Sequence, residues 1–480
     1  MITSLKYPAY KDSGVEWLGQ VPAHWEVLPG RAVFREINDR GHPDEQMLSV
    51  TITRGVLRQA DLLADSSKKD SSNEDKSNYK LVQPGDLVYN KMRAWQGAVG
   101  VSAYRGIVSP AYIVQRLRSA ENLPRYMHFL LRTPLFASEA ERWSYGITSD
   151  QWSLRAEEFK CIYFSLPPLP EQTAIVRFLD WADRRIRRVI RARQRRIKLL
   201  EEYKQALIHQ AVTGRIDVRT GQPYPAYKDS GVEWLGEVPA HWEVRRIKTI
   251  ARIRYGLGQP PKEMDGGIPM LRATNVSRGT ICEKDLLRVD PSDVPLNRGA
   301  FLHAGEIIVV RSGAFTADSA IVPEAYEGAV AGYDMVVTAL KISPRFLALV
   351  LLTPYVRDDQ LTIASMRSAQ PHLNAEELGA ALVAVPPLPE QTAIVEYLDA
   401  QTAKVDAAIA AARREIELLR EYRERLIADV VTGKVDVRKV AAQLPEESEE
   451  PDLPEEEVDP LTDESEEVNE TMSADEETED

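Results

Sequence analysis

The feature that most constrains this chain is that it says almost the same thing twice. Tyr7–Gly19 reads YPAYKDSGVEWLG, and Tyr224–Gly236 repeats it letter for letter. VPAHWEV follows both, at Val21–Val27 and Val238–Val244. PPLPEQTAIV stands at Pro167–Val176 and again at Pro386–Val395. A third echo closes each copy, LLEEYKQALIHQAVTGRIDVR from Leu199 and LLREYRERLIADVVTGKVDVR from Leu418. The offset is 217 residues at the first motif and 219 at the others. Such a period marks a tandem duplication, each copy reading motif, variable region, proline gate and helix.

The variable regions, about 28–166 and 245–385, are similar in length and different in sequence. Short β-like runs (Asp86–Asn90, Ile107–Gln115; Ile307–Arg311, Met335–Leu340) among turn residues predict two mixed α/β globular domains. Ser66–Ser77 reads as a solvated insertion.

Each proline gate opens a helix. Pro170 and Pro389 suit a first helical turn, with Glu and Gln after them at its positive end, and Gly214 and Gly433 are natural stops. Ile175, Leu179, Ala182, Ile186, Val189, Ile197, Leu200, Tyr203 and Leu207 recur at steps of three and four, broken by Arg193. Ile394, Leu398, Val405, Ala408, Ala412, Ile416, Leu419, Tyr422 and Leu426 match them, broken by Gln401. A seam this long predicts a coiled coil, and each helix would be about 60 Å long. Glu171–Thr213 carries a net charge of +6 and Glu390–Thr432 one of −3. Opposite signs favour the two helices pairing with each other in an antiparallel, pseudo-twofold frame, over each packing on its own domain. Phe178, Leu199, Tyr397 and Leu418 form faces beyond the seam, for a partner or for packing within the chain.

The net charge of −13 hides two parts. Nineteen of the 73 acidic residues lie between Pro445 and Asp480, where there is no Lys or Arg; the remaining 54 face 60 basic residues, a net of +6. So polar a tail is expected to be disordered, serving solubility or competing with polyanions for the basic body. The opening MITSLKYPAY lacks a signal-peptide pattern and no apolar run approaches membrane length, so a cytoplasmic, membrane-free protein is expected. Cys161 and Cys282 read as reduced thiols.

Catalytic signatures are missing. The sequence has no GxxxxGK[ST], HExxH, GxSxG or [DNS]PP[FYW]. Gly256-Leu-Gly258 reads as a turn, and Glu74-Asp75-Lys76 as a chance fragment of a nuclease motif.

The duplicated VPAHWEV openings, PPLPEQTAIV gates and VTG closings, with NKMRAWQGAVG, GIVSPAYIV and VVRSGAFTADSAIV in the variable regions, resemble the type I restriction–modification specificity subunit over about residues 7–438. That resemblance implies two target-recognition domains (1–166 and 221–385), two spacer helices (167–220 and 386–438) in an antiparallel coiled coil, and a tail (439–480) outside the family pattern. It further implies a non-catalytic subunit that reads a bipartite site on double-stranded DNA. Two modification subunits would supply S-adenosylmethionine and adenine methylation; restriction subunits would supply ATP- and Mg-dependent translocation and cleavage. The contrasting readings are a single-chain nuclease or methyltransferase, and a scaffold whose domains bind proteins.

Base readout needs donor-rich side chains at the surface. In the first domain Lys91, Arg93, Trp95 and Gln96 cluster; in the second, Arg311 and Ser312 precede a glycine turn, and Arg272 and Asn275 form a polar knot. The loops Tyr145–Ser153 and Met366–Leu373 align at Ser149/Ser368 and Gln151/Gln370. Shared residues there suit phosphate contact or fold, while Asp150, Trp152, Arg367 and His372 suit base discrimination.

Overall fold

A computed structural model describes residues 5–64, 75–146, 152–295, 299–366 and 371–445. The acidic tail beyond Pro445 and most of the Ser66–Ser77 insertion lie outside the described residues. Two long helices dominate, α1 (Leu169–Val212) and α2 (Leu388–Val431). The chain forms two compact units, one of residues 1–194 with 413–480 and the other of 195–412, so each unit contains a stretch of both helices. Among the described residues, no helix is long and apolar enough to cross a membrane.

In the first unit β1 (Glu26–Pro29) leads to a four-stranded antiparallel sheet. Its strands are β2 (Phe34–Ile37), β3 (Leu87–Asn90), β4 (Val99–Val101) and β5 (Tyr112–Leu117), in the order β2-β5-β3-β4. β6 (Tyr163–Leu166) returns to pair with β1. The second unit repeats the plan. Strands β8 (Ala251–Tyr255), β9 (Ile307–Val309), β10 (Ser319–Ile321) and β11 (Met335–Ala339) lie in the order β8-β11-β9-β10, and β7 (Glu243–Arg246) pairs with β12 (Leu382–Val385). β9 and β11 are buried on both faces. Ile307, Val309, Met335 and Val337 pack into the core that includes Phe346 and Trp242, while the alternating Ile308 and Val336 pack with Val310 and Leu271. The run Ile107–Gln115 is two strands and not one, because Ser109-Pro110-Ala111 breaks it between Gly106–Val108 and β5.

Each central strand begins beside a buried acid. Asp86 accepts from Nε and Nη2 of Arg116 at 2.6 and 2.7 Å, and Glu306 from Nη1 and Nη2 of Arg254, each at 2.5 Å. The units diverge in what they add to this core. The first carries the hairpin Leu48–Thr51/Gly55–Arg58; the second carries Glu263–Leu271, antiparallel to Leu287–Val289 and parallel to Val330–Ala331.

The repeated motifs are repeated because they meet. Glu171, in the first turn of α1, accepts hydrogen bonds from Trp25 Nε1 at 2.9 Å and His24 Nε2 at 2.7 Å. Glu390 does the same for Trp242 at 2.6 Å and His241 at 3.1 Å. Both tryptophans are fully buried, so the carboxylate satisfies a donor that water cannot reach. Gln172 and Gln391 clamp their gates, with Oε1 accepting from Leu123 N (2.8 Å) and Ser343 N (2.7 Å), and Nε2 donating to Pro167 O (2.9 Å) and Pro386 O (2.8 Å).

The closing motifs are exchanged between the sequence copies. Arg438, from the second copy, stacks over Tyr7 at 4.8 Å and lies 3.8 Å from Glu171 in the first unit. Arg219, from the first copy, pairs with Glu390 at 2.8 Å in the second unit. The glycine stops permit the close approach that the exchange requires. Gly433 has φ +78°, and a Cβ there would sit 2.3 Å from Pro22 Cδ; at Gly214 it would sit 2.4 Å from Pro239 Cδ.

Ion pairs join the two helices within each unit, and in the first unit their order shows the helices antiparallel. Arg193, the polar break in the seam, grips Glu415 at 2.7 and 2.9 Å, and Arg423 reaches back to Asp183; in the other unit Lys204 holds Asp406 at 2.7 Å. The seam itself needs correction. Val189, Tyr203 and Tyr422 are exposed, and Ile190, Ile208 and Ile409 are buried in addition to the expected positions. A straight helix turns 3.6 residues and not 3.5, so the buried row takes more steps of four than a heptad allows. Phe178 is buried within the chain, whereas Leu199 and Leu418 are open.

Candidate nucleic-acid interface

Each unit places a basic residue just beyond its central strand and ties it to the loop that precedes the final strand. Lys91 O accepts from Leu154 N at 2.8 Å, and Arg311 O from Leu373 N at 2.7 Å. These two positions correspond in the fold, and different side chains gather around them.

In the second unit the guanidinium of Arg311 lies between two tyrosine faces, 4.6 Å from the centre of Tyr255 and 4.2 Å from that of Tyr333. Its Nη2 lies 2.8 Å from His372 Nε2. A guanidinium only donates, so Nε2 accepts and the ring proton belongs on Nδ1. Ser312 bridges His372 through the backbone. Arg311, Ser312 and His372, proposed from two separate segments, are thus brought together. The Nε of Arg311 finds no acceptor among the described residues. Both tyrosines keep over a third of their surface exposed, and Phe315 lies open in the adjoining turn. Beneath them Asp334 accepts from Arg311 N at 3.1 Å, and burial pushes its carboxyl from the ordinary 3.8 up to about 6 against the opposing pull of that amide and the arginine charge.

In the first unit Trp95 and Trp152 meet edge to face, with centroids 5.6 Å apart. Trp95 Nε1 donates to Met92 O at 2.9 Å, and Arg93 Nη1 donates to Gln96 Oε1 at 2.9 Å. Tyr145 pairs through its backbone with Ser153 and is largely exposed. Lys91, Arg93, Trp95, Gln96 and Trp152 therefore occupy adjoining backbone, all half-buried.

The polar knot divides. Arg272 lies beside Gly332, next to Tyr333, and donates to Asp285 O at 2.8 Å. Asn275 is a correction: it is fully buried, Oδ1 accepts from Arg272 N, and Nδ2 donates to Cys282 O and Lys284 O. Its amide is committed to holding the turn and has no free edge to offer a base. Asp150, Gln151, Arg367 and Gln370 lie outside the described residues. Sequence reasoning missed Tyr255, Tyr333 and Asp334; the signal was an aromatic at a strand end and a Gly-Tyr-Asp entry to another.

Chemically, each cluster combines fixed donors with aromatic faces, an arrangement suited to base edges, bases or phosphates. No group of three or more His, Cys, Asp or Glu among the described residues could hold a metal ion.

The sequence matches the family described as type I restriction modification DNA specificity domain over residues 44–199 and 239–418. It is 20% identical over 453 residues to the type I restriction enzyme EcoKI specificity subunit of Escherichia coli K12, spanning 87% of this chain and 90% of that one. It is 23% identical over 450 residues to the putative type I restriction enzyme MjaX specificity subunit of Methanocaldococcus jannaschii, spanning 88% and 96%. In fold it resembles a chain from a structure of type I restriction–modification complex assembly and conformational transition, with a TM-score of 0.63 at 15% identity, over 86% of this chain and 99% of that one. With one matched segment inside each sequence copy, the two together covering more than half of the chain, the chain belongs to the type I restriction–modification DNA specificity family.

Proposed function

We propose that this chain chooses the DNA sequence on which a type I restriction–modification complex acts, each unit reading one half of a bipartite duplex site, with no chemistry of its own. The observation that carries the reading is the pair of clusters at one position of a duplicated fold. Lys91, Arg93, Trp95, Gln96 and Trp152 stand in one unit where Arg311, Tyr255, Tyr333 and His372 stand in the other. A shared frame with different donors suits two different half-sites in a fixed arrangement.

Methylation of adenine and cleavage would belong to partner subunits, which would bring S-adenosylmethionine, ATP and Mg, and the complex would work in the cytoplasm. The modification subunits would dock on the long helices, where Leu199 and Tyr203 in one unit and Leu418 and Tyr422 in the other stand open one helical turn apart. Selection of bound duplexes from a random library by the chain co-expressed with its modification subunit tests the reading. Enrichment of two short motifs at one fixed spacing supports it; salt-sensitive binding without sequence preference contradicts it.

A further inference from the structure

The two units add different strands around their shared sheet, yet one element recurs in both: a hairpin whose turn carries Arg-Gly and lies against the edge strand. In the first unit Arg54-Gly55 lies in the turn of the hairpin Leu48–Thr51/Gly55–Arg58; in the second, Arg278-Gly279 joins Val276–Ser277 to Thr280–Ile281. Gly55 meets Gly100 in β4, where a Cβ on Gly100 would sit 3.3 Å from Gly55 Cα. Gly279 bridges Ala320 in β10 and donates to Ser319 O at 2.8 Å. Gly100 and Ala320 hold the same place in the fold, opposite Val88 in β3 and Ile308 in β9. Both hairpin glycines have left-handed φ, +77° and +92°. A Cβ on them would press on the residue that ends a neighbouring helix, 3.1 Å from Arg132 Nη1 in one unit and 2.8 Å from Leu352 Cδ1 in the other.

Each tip is thus fixed where the turn after Lys91 or Arg311 rejoins the sheet. A Cβ on Gly97, which closes the first of those turns, would lie 3.9 Å from Ile52 Cγ2, and Ser319 begins the strand that follows the second. Arg278 is exposed and Arg54 half-buried, and among the described residues neither side chain has a hydrogen-bond or ion-pair partner. Arg278 has φ +38°, a conformation that glycine or asparagine adopts far more readily than arginine. A residue shared by two units with different reading clusters cannot tell two half-sites apart, whereas phosphodiester groups are the same along any duplex. We propose, resting on the sequence-reading function above, that Arg54 and Arg278 are matched backbone contacts, each binding a DNA phosphate beside the bases that its own unit reads.

The test uses the full chain co-expressed with its modification subunit, and fluorescent duplexes carrying the selected bipartite site or that site altered in one half. Arg54→Gln and Arg278→Gln should each weaken binding to all these duplexes by the same factor and lower the salt slope by about one. The parent's advantage over each variant should then shrink about 3- to 4-fold between about 50 and 200 mM salt. Arg54→Lys and Arg278→Lys should restore the slope, because a point charge serves a phosphate but does not reproduce a fork on a base. Arg278→Gly, which suits the turn, should repeat the loss while melting no lower than the parent, which separates lost contact from lost folding. Folded variants with the parent's salt slope would overturn the proposal, and so would a loss confined to one base position, which marks a base reader. A parent complex without sequence preference, seen before any variant is made, would instead overturn the reading on which the proposal rests.

Discussion

Arg311→Ala removes a guanidinium stacked between Tyr255 and Tyr333 and bonded to His372. A fixed guanidinium with an uncommitted Nε is suited to a fork of hydrogen bonds on a guanine edge or a phosphate. Losing a good bidentate base contact costs about 1–3 kcal/mol, or roughly a 5- to 150-fold drop in affinity. Titrating fluorescent duplexes at several salt concentrations, with each half-site altered in turn, separates the possibilities. A base contact predicts that Arg311→Ala erases the penalty for altering one position of one half-site and leaves the other half-site's penalties intact. A phosphate contact instead weakens all sequences alike and lowers the salt slope by about one. Thermal melting of the variant guards against a folding defect, since His372 loses its donor. A folded variant with unchanged affinity, unchanged specificity and an unchanged salt slope would refute the assignment of this site.

Three further outcomes follow from the geometry. Asp334 keeps its proton to higher pH when folded than when unfolded, so its contribution to stability is full below pH 4 and is lost as pH rises towards about 6. That shift corresponds to about 3 kcal/mol, so Asp334→Asn should stabilise the protein at pH 7.5 by up to that amount and flatten stability between pH 4 and 7 in urea titrations; an unchanged pH profile would count against it. Trp25→Phe leaves the buried Glu171 carboxylate without its indole donor and should cost about 1–3 kcal/mol in urea unfolding at constant m value, with Trp242→Phe costing as much through Glu390; a negligible loss in either would mean the motif is not a structural clasp. Leu418→Asp with Tyr422→Asp should leave melting within about 0.5 kcal/mol of the parent, both residues being exposed, while reducing co-purification of the modification subunit; undiminished co-purification would place the docking face elsewhere.

The duplicated frame was legible in the sequence because its motifs bond to one another: a Trp, a His and a Glu about 146 residues apart must persist together if one buried indole is to stay satisfied. The exchange of closing motifs was not legible, since Asp217–Arg219 and Asp436–Arg438 are alike and only tertiary contact tells which Glu each one meets. Helix length and ends followed from proline and glycine chemistry. The seam drifted because local periodicity does not count the partner helix. At the candidate site, Arg311 and His372 could be singled out as donors in polar loops, but Tyr255 and Tyr333 join them only through strand pairing. Asn275 misled because a polar residue in an irregular segment looks the same whether it faces a ligand or ties its own backbone.

The most direct measurement is a map of methylated adenines across a host genome expressing this chain with its modification subunit, compared with the same host lacking this gene and with one carrying Arg311→Ala. One new bipartite motif, methylated on both strands, absent without the gene and relaxed in only one half by Arg311→Ala, is the predicted result. No new motif from a soluble, co-purifying complex, or a motif whose two halves relax together in the variant, would contradict the account.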